Sequence, residues 1–243
     1  MYQFGLIGYP IAHSLSPSFF QTKWKEEGRD DCLYRLFPLR QLDALKELIA
    51  SQPTLCGLNV TSPFKEEVLS YTDTLDRRAT QLRSANVLCI RDGIISGHNT
   101  DVDGFAAMPL PDPLPREALV LGSGGAARAV ETILREKGIL VHMVSRHGTL
   151  NYRTLSPEMV SQCQLIVNAT PLGMGSLEND APDIPYAAIT RRHHLLDLIY
   201  SPQETLFLQK GKMRGASTCN GLPMLYAQAE ATWKIWKEFI NKQ

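Results

Sequence analysis

The chain has 243 residues, 44% of them hydrophobic and 21% charged, a composition typical of a globular protein large enough for two domains. Its 25 basic and 25 acidic side chains cancel, which argues against a nucleic acid or an anionic membrane as partner. No apolar run approaches the roughly 18 residues of a membrane span, and no signal peptide is recognisable. The five cysteines are scattered without a Cys-x-x-Cys pair, which predicts reduced thiols in a cytoplasmic protein and no metal site.

Strands and helices alternate through the first hundred residues. Amphipathic helices are predicted from Ser16-Pro17 to Gly28, around residues 42–49, and from the end of the third strand to about Arg83. Asp92-Gly93 predicts the tight turn of a β-hairpin. The predicted strands cover residues 4–7, 32–37, 55–60, 86–90 and 94–99. This order predicts an α/β domain.

Prolines at every second position interrupt this pattern, at Pro109, Pro111, Pro113 and Pro115. Proline lacks a backbone donor and has a fixed φ, so no helix is expected there. The segment predicts an extended connection at a domain boundary.

A nucleotide-binding motif follows the prolines. A strand at residues 118–121 leads into Gly122-x-Gly124-x-x-Ala127, which opens a helix that Gly138 ends. The first two glycines permit a tight turn and close approach to a pyrophosphate, and the small third residue lets helix and strand pack. Further strands at 139–144, 165–168 and 194–199, with a final helix at 224–240, predict a Rossmann-type fold.

The end of the second Rossmann strand indicates the cofactor. NAD enzymes usually carry an acidic residue there, but no acid occurs between Glu136 and Glu158. Instead the strand ends in Ser145-Arg146, a hydroxyl and a guanidinium that suit a 2′-phosphate. The sequence therefore predicts NADP, unless Arg146 is only a solvated surface residue.

Polar residues at the ends of the first domain's strands indicate a reaction site. Lys65 follows the strand at 55–60, where ligands bind in open α/β sheets, although such a lysine is more often a surface charge. The Asp92-Gly93 turn sets a register in which Asn86 opposes Asn99, so Asp101 should point to the same side as Asn86. The segment Asn99–Asp101 could instead be an ordinary turn.

Two serines precede the first helix. Extended backbone at Ser14 and Ser16 would aim both hydroxyls the same way, as a pair that binds a carboxylate. Alternatively, Ser16 is only the N-cap of a helix with Pro17 at its first position.

Seven motifs occur in the order and spacing of the shikimate dehydrogenase family, and the chain resembles that family over nearly its whole length. They are GYPIAHSLSPS, NVTSPFKE, SANVL, GHNTDVDGF, GSGGAARA, NATPLGM and NGLPMLYAQA. The resemblance implies two domains: an amino-terminal α/β substrate domain with a mostly parallel sheet (1–103, joined by a final helix at 222–243) and a Rossmann NADP domain (104–221). It implies reversible reduction of 3-dehydroshikimate to shikimate by NADPH, in a monomer or homodimer.

The resemblance also implies roles for individual residues. Lys65 and Asp101 match the catalytic pair, and Ser14 and Ser16 match residues that hold the substrate carboxylate. Substrate contacts are further implied at Thr61, Asn86, Tyr200 and Gln228. Cofactor contacts are implied at Gly122, Ser123, Gly124, Gly125, Ala126, Ser145, Arg146, Leu198 and Gly221.

The chain departs from the family pattern at three places. Arg83-Ser84-Ala85 stands before Asn86 where the family usually has Gly-Ala-Val, and the proline segment replaces a longer helical connection. The usual helix after Ser145-Arg146 is missing, so the far edge of the Rossmann sheet should be trimmed and the adenine pocket more open.

Other functions fit parts of the sequence. A quinate/shikimate dehydrogenase that prefers NAD is the nearest alternative. A non-catalytic sensor would not need Lys65 and Asp101, and another Rossmann oxidoreductase, such as a folate-linked dehydrogenase, would not need the paired serines.

Overall fold

The computed structural model describes residues 1–241, which form two compact units. The first contains Met1–Asp101 together with the residues from Gln228 onward, and the second contains Val102–Ala227. Each unit has its own β-sheet. Among residues 1–241, no helix combines the length and the apolar character needed to cross a membrane.

A six-stranded mixed sheet forms the centre of the first unit. Its helices and strands are β1 Tyr2–Gly8, α1 Ser16–Glu26, β2 Cys32–Pro38, α2 Leu45–Ser51, β3 Leu55–Val60, β4 Thr74–Leu75, α3 Arg77–Leu82, β5 Val87–Arg91 and β6 Ile94–His98. The strand order is β2-β1-β3-β5-β6-β4. Strand β1 runs parallel to β2 and β3, and β4 runs parallel to β6, whereas β5 is antiparallel to both neighbours. Parallel pairs thus form the majority, as expected from the sequence.

The prediction of a continuous helix up to Arg83 is wrong. The chain forms a short 3-10 helix at Glu67–Tyr71, then β4 and the short helix α3. Asp73 explains the break, because its amide donates to the Ile95 carbonyl and its carboxylate accepts from the Ile95 amide, which ties this segment to β6. Asp76 then caps α3 by accepting from the Ala79 amide at 2.6 Å.

The final helix, α8 (Leu222–Asn241), supplies two tryptophans to the core of the first unit. Trp236 stacks on Phe4 with 4.5 Å between ring centroids and donates from Nε1 to the Leu88 carbonyl at 3.0 Å. A side chain at Gly57 would overlap the Trp236 indole, so a glycine is needed there. Without α8, this face of the sheet would expose its aromatic residues to water.

A five-stranded sheet, parallel throughout, forms the second unit in the order β11-β10-β9-β7-β8. Its helices and strands are β7 Glu117–Leu121, α5 Gly125–Glu136, β8 Leu140–Val144, α6 Pro157–Gln162, β9 Leu165–Asn168, β10 His194–Asp197, α7 Leu206–Met213 and β11 Ser217–Cys219. One further helix, α4 (Asp101–Ala106), begins at the boundary between the units. This is the predicted Rossmann-type arrangement, whereas α6, α7 and β11 were not predicted.

The two irregular segments of the sequence are irregular in the structure. The residues from Pro109 to Pro115 form no helix, as predicted. Residues 145–156 form turns, and α6, at six residues, has fewer than two turns. Strand β8 is the last strand on its side of the sheet in the described part of the chain, so the far edge is trimmed as expected.

A buried carboxylate fixes the loops that follow β9 and β10. Asp197, fully buried, accepts from the Thr205 hydroxyl at 2.6 Å, from the Ile199 amide at 3.0 Å and from the Asn168 side chain at 3.0 Å. Burial raises the pKa of Asp197 to about 6, although these hydrogen bonds oppose the rise. The raised pKa means that folding favours the protonated form.

Stability should therefore depend on pH through Asp197. A folded pKa of about 6, against an ordinary value of 3.8, gives a contribution that is complete below about pH 4 and lost as the pH rises to about 6. We expect Asp197→Asn to remove this dependence, because an uncharged amide can still accept from Ile199 and Asn168 and donate to Thr205. Relative to the unmodified protein, the variant should gain up to about 3 kcal/mol in unfolding free energy between pH 4 and pH 7. Urea unfolding at both pH values measures this difference.

Asp180→Asn is the control, because Asp180 is exposed, and this variant should show no such gain. The prediction would be contradicted if the stability of Asp197→Asn depended on pH as strongly as that of the unmodified protein.

Candidate active site

A lysine and an aspartate form a close ion pair beside the end of β3. The Lys65 ammonium lies 2.9 Å and 2.8 Å from the two carboxylate oxygens of Asp101. The carboxylate is 1% exposed and the lysine side chain 20% exposed, so the pair opens to solvent on the ammonium side. Such an ammonium is oriented by its partner and remains accessible to a ligand.

Local packing holds the backbone of Lys65. Phe64, buried in the core, anchors the turn after β3, and its amide donates to the Thr61 carbonyl at 3.0 Å. The Lys65 carbonyl accepts from the Ala85 amide at 2.8 Å. The backbone of Lys65 is therefore held between the turn that follows β3 and the segment that precedes β5.

The hairpin register predicted from Asp92-Gly93 is confirmed. Both residues have positive φ, 52° and 79°, and Arg91 pairs with Ile94. Beyond the hairpin, Asn99 accepts from the Asp101 amide at 3.0 Å, which directs the chain into α4. As the register implied, the Asn86 amide group donates to Asp101 Oδ1 at 3.0 Å.

Asn86 links the ion pair to the final helix. Its Oδ1 accepts from the Thr100 amide at 2.8 Å, and its Nδ2 also donates to Gln228 Oε1 on α8 at 3.2 Å. Asn86 is 3% exposed, and its many partners leave little freedom for the side chain to rotate. The expected group of Lys65, Asp101, Asn86 and Gln228 is therefore brought together, with Thr61 beginning the same turn as Lys65.

Sequence reasoning missed a row of polar residues behind Asn86. Thr100 Oγ1 lies 3.2 Å from the Thr232 hydroxyl, and Asn59 donates to Thr232 at 3.4 Å and accepts from the Tyr34 hydroxyl at 2.8 Å. Thr232 lies one helical turn after Gln228, and this spacing was the only signal available for it.

The segment from Ser14 to Ser16 is not extended throughout, contrary to the prediction. Leu15 has helical dihedrals and is the N-cap of α1, so Ser16 is the first helical residue and Pro17 the second. Ser14 Oγ accepts from the Ser16 amide at 3.2 Å, which leaves its hydroxyl proton available to a ligand. The N-cap role considered for Ser16 is wrong as well.

The nucleotide motif adopts a conformation suited to phosphate. Gly122 has a φ of +124°, and a side chain there would meet the Ala169 carbonyl at 2.8 Å. Gly124 is the N-cap of α5, with open space where a side chain would stand, and Ser123 beside it is exposed. Gly125 and Ala126 form the first turn of α5, whose amides and dipole favour an anion.

Ser145 and Arg146 follow directly after β8, as expected. The Ser145 amide donates to the Leu150 carbonyl at 3.2 Å, which closes a tight loop, and Arg146 is exposed. Burial raises the pKa of Tyr152, and the positive charge of Arg146 opposes that rise.

The remaining expected cofactor contacts lie where β10 ends. The Gly221 amide donates to the Ile199 carbonyl at 2.9 Å, and a side chain at Gly221 would collide with the Leu198 backbone. Tyr200, half-buried, follows directly. The structure therefore groups Leu198, Tyr200 and Gly221 within the second unit.

The chain is similar to known proteins over most of its length. Residues 6–88 match the family model described as the shikimate dehydrogenase substrate binding domain. The shikimate dehydrogenase (NADP(+)) of Halothermothrix orenii is 34% identical over 96% of this chain and 89% of its own length. The crystal structure of shikimate dehydrogenase 1 from Peptoclostridium difficile matches with a TM-score of 0.86 and 31% identity, over 98% of this chain and 92% of that one.

A further solved structure contains two bound small molecules. Shikimate 5-dehydrogenase from Thermus thermophilus, in complex with NADP(H) and shikimate, matches with a TM-score of 0.84 and 30% identity, over 98% of this chain and 94% of that one. These relatives are at least 30% identical to this chain over nearly the full length of both chains, and the family model of the substrate domain also matches. The chain therefore belongs to the shikimate dehydrogenase family.

Proposed function

We propose that the protein is an NADP-dependent shikimate dehydrogenase that reversibly reduces the ketone of 3-dehydroshikimate to the alcohol of shikimate. The ion pair between Lys65 and Asp101 carries the proposal, because it combines an accessible proton donor with a buried carboxylate that orients it. The names of the curated relatives and the bound molecules of the Thermus thermophilus structure support the same reaction.

Lys65 is the general acid in this proposal. When bound, NADPH supplies the hydride. Addition of hydride to a ketone leaves negative charge on the oxygen, and an ammonium within hydrogen-bonding reach stabilises that charge and donates the proton. Asp101 holds the ammonium in place and, in the reverse direction, helps the neutral amine to accept the proton.

Uncharged polar residues bind the ring hydroxyls and the carboxylate in this proposal. Asn86, Gln228 and Thr61 contact ring oxygens, since amide and hydroxyl groups can both donate and accept. Ser14 and Ser16 bind the carboxylate, and the free hydroxyl proton of Ser14 supports that role.

The second unit binds NADP through its phosphate groups. The glycine turn and the start of α5, Gly122–Ala126, take the pyrophosphate, while Ser145 and Arg146 take the 2′-phosphate. Leu198 and Gly221 supply further contacts to the cofactor. The absence of acidic residues between Glu136 and Glu158 supports NADP over NAD, because a carboxylate there would repel the 2′-phosphate.

The function is tested by initial rates with shikimate or quinate and NADP or NAD, in all four combinations. We expect shikimate with NADP to be the fastest. Arg146→Ala should raise the KM for NADP and leave the KM for NAD nearly unchanged, because only NADP carries the extra phosphate. The exposed Arg153→Ala serves as the matched control. Equal use of both cofactors, or a preference for quinate with NAD, would contradict the proposal and favour the NAD-preferring alternative.

The carboxylate anchor is tested by Ser14→Ala. A hydrogen bond to a charged group contributes about 1.5–3 kcal/mol, so shikimate binding should weaken about ten- to a hundred-fold. Isothermal titration of shikimate measures the loss. Ser18→Ala is the control, because Ser18 lies outside the proposed site and its hydroxyl donates to the Leu15 carbonyl. If shikimate methyl ester bound as tightly as shikimate, the anchor would be elsewhere.

The proton donor is tested by Lys65→Met, which keeps most of the apolar stem and deletes the ammonium. We expect kcat to fall at least about a hundred-fold with little change in shikimate affinity, because the stabilised charge develops only near the transition state. Steady-state rates and equilibrium binding measure the two quantities separately. Lys46→Met, at an exposed position on α2, should be unaffected. A folded Lys65→Met that binds NADP and retains normal kcat would exclude the mechanism.

A double variant tests whether the ion pair acts as a unit. Asp101→Asn should also lower kcat, and its combination with Lys65→Met should cost less than the sum of the two single changes. The comparison is made in units of activation free energy from the four kcat values. Additive losses would show that Asp101 acts independently of the lysine.

A further inference from the structure

A second group of chemically reactive side chains lies in the second unit, outside the residues assigned to substrate and NADP. Glu117, His142 and Cys163 each direct one potential metal-ligating atom to a common point, and these three atoms all lie within 4.8 Å of one another. His142 Nε2 is already 2.8 Å from Glu117 Oε2. We call these residues the edge cluster.

The fold assembles the edge cluster from three separate elements. Glu117 is the first residue of β7, and His142 on β8 pairs with Leu119, two residues further along β7. Because side chains alternate along a strand, Glu117 and His142 share one face of the sheet. Cys163 follows α6 and is fully buried in a hydrophobic cluster that also contains Leu119 of β7 and Val160 of α6. No spacing motif in the sequence indicates that these three residues lie close together.

We propose that the edge cluster is a binding site for a divalent transition-metal ion, with Zn²⁺ the best match. A thiolate, an imidazole and a carboxylate are the ligands that Zn²⁺ uses in proteins. When the metal displaces the thiol proton of Cys163, which is released to solvent, the thiolate and the Glu117 carboxylate together neutralise the charge of the ion. A hard cation such as Mg²⁺ fits poorly, since it prefers an all-oxygen shell.

The geometry requires only small side-chain movements. Zinc bonds of about 2.0–2.3 Å in a tetrahedron place ligand atoms roughly 3.3–3.8 Å apart. The thiol would approach, and the carboxylate and imidazole would separate slightly. The His142 side chain is 24% exposed and that of Glu117 36%, so an ion can enter from solvent and keep a water molecule as fourth ligand.

Metal binding would cross-link α6 to the edge of the sheet. Strand β8 has a neighbour on one side only in the described chain, and Ser145 and Arg146 extend directly from its end. The ion would join β7, β8 and the end of α6 at this trimmed edge. The expected role is therefore structural, and Lys65 and Asp101 do not depend on it.

Cobalt titration of the full chain tests the site. After chelator treatment and reduction, one equivalent of Co²⁺ should give the near-ultraviolet charge-transfer band of a thiolate–Co²⁺ bond. Zn²⁺ should displace the Co²⁺ and abolish the band, and it should raise the thermal unfolding midpoint. Cys163→Ser should remove both the band and the Zn²⁺-dependent shift in midpoint.

Matched variants separate this site from adventitious binding. Cys219→Ser changes a half-buried thiol of the same unit and His147→Gln an exposed histidine, so both should retain the band. His142→Gln should weaken Zn²⁺ binding at least about a hundred-fold, beyond the loss typical of groups that only orient a ligand. It also provides a test if Cys163→Ser fails to fold. No band in the unmodified protein, a band retained in folded Cys163→Ser, or unchanged Zn²⁺ affinity in His142→Gln would overturn the proposal.

Discussion

The geometry of the candidate active site depends on the hydrogen bonds of the Asn86 side-chain amide. It is buried, so every hydrogen bond left unmade would carry a desolvation cost of about 1–3 kcal/mol. Its oxygen accepts from the Thr100 backbone, and its nitrogen donates to Asp101 and Gln228. Only one orientation of the side chain satisfies these partners. The position of the Asp101 carboxylate, and through it the Lys65 ammonium, follows from that orientation.

In the second unit, the turns after the strands are constrained by the close approach of backbone segments. Gly122 lies against Ala169, and Gly221 lies against Leu198, so the turns at the ends of β7, β9, β10 and β11 pack with no side chain between them. Asp197 fixes the same region by accepting hydrogen bonds from the last residue of β9 and from the loop after β10. Rigid turns at the carboxyl ends of parallel strands are where open α/β sheets bind ligands. The trimmed edge at β8 leaves this central region intact.

Features set by local chemistry could be predicted from the sequence. The Asp92-Gly93 turn fixed the hairpin register, and that register alone brought Asn86 and Asp101 together. The glycine motif predicted the strand, turn and helix around Gly122–Ala127, because a glycine-rich turn is typical of this connection in nucleotide-binding folds, and at Gly122 the turn leaves no room for a side chain.

Features set by distant contacts could not be predicted. Thr232 reaches Asn59 across 173 positions, and the edge cluster joins residues from two strands and a helix end. The start of α1 was misplaced because Ser16 and Pro17 suit both the N-cap and the first turn. Short elements such as β11, with three residues, carry too little pattern to be recognised.

The long separation in sequence between α8 and the sheet that it covers has a consequence for protein synthesis. A ribosome delivers the sheet of the first unit early, yet the helix that covers Phe4 and supplies Gln228 emerges only after the second unit. The second unit, continuous in sequence, can complete its fold before then. The nascent chain therefore carries an uncovered aromatic surface until α8 has been translated, a stage at which chaperones that bind exposed apolar segments would act.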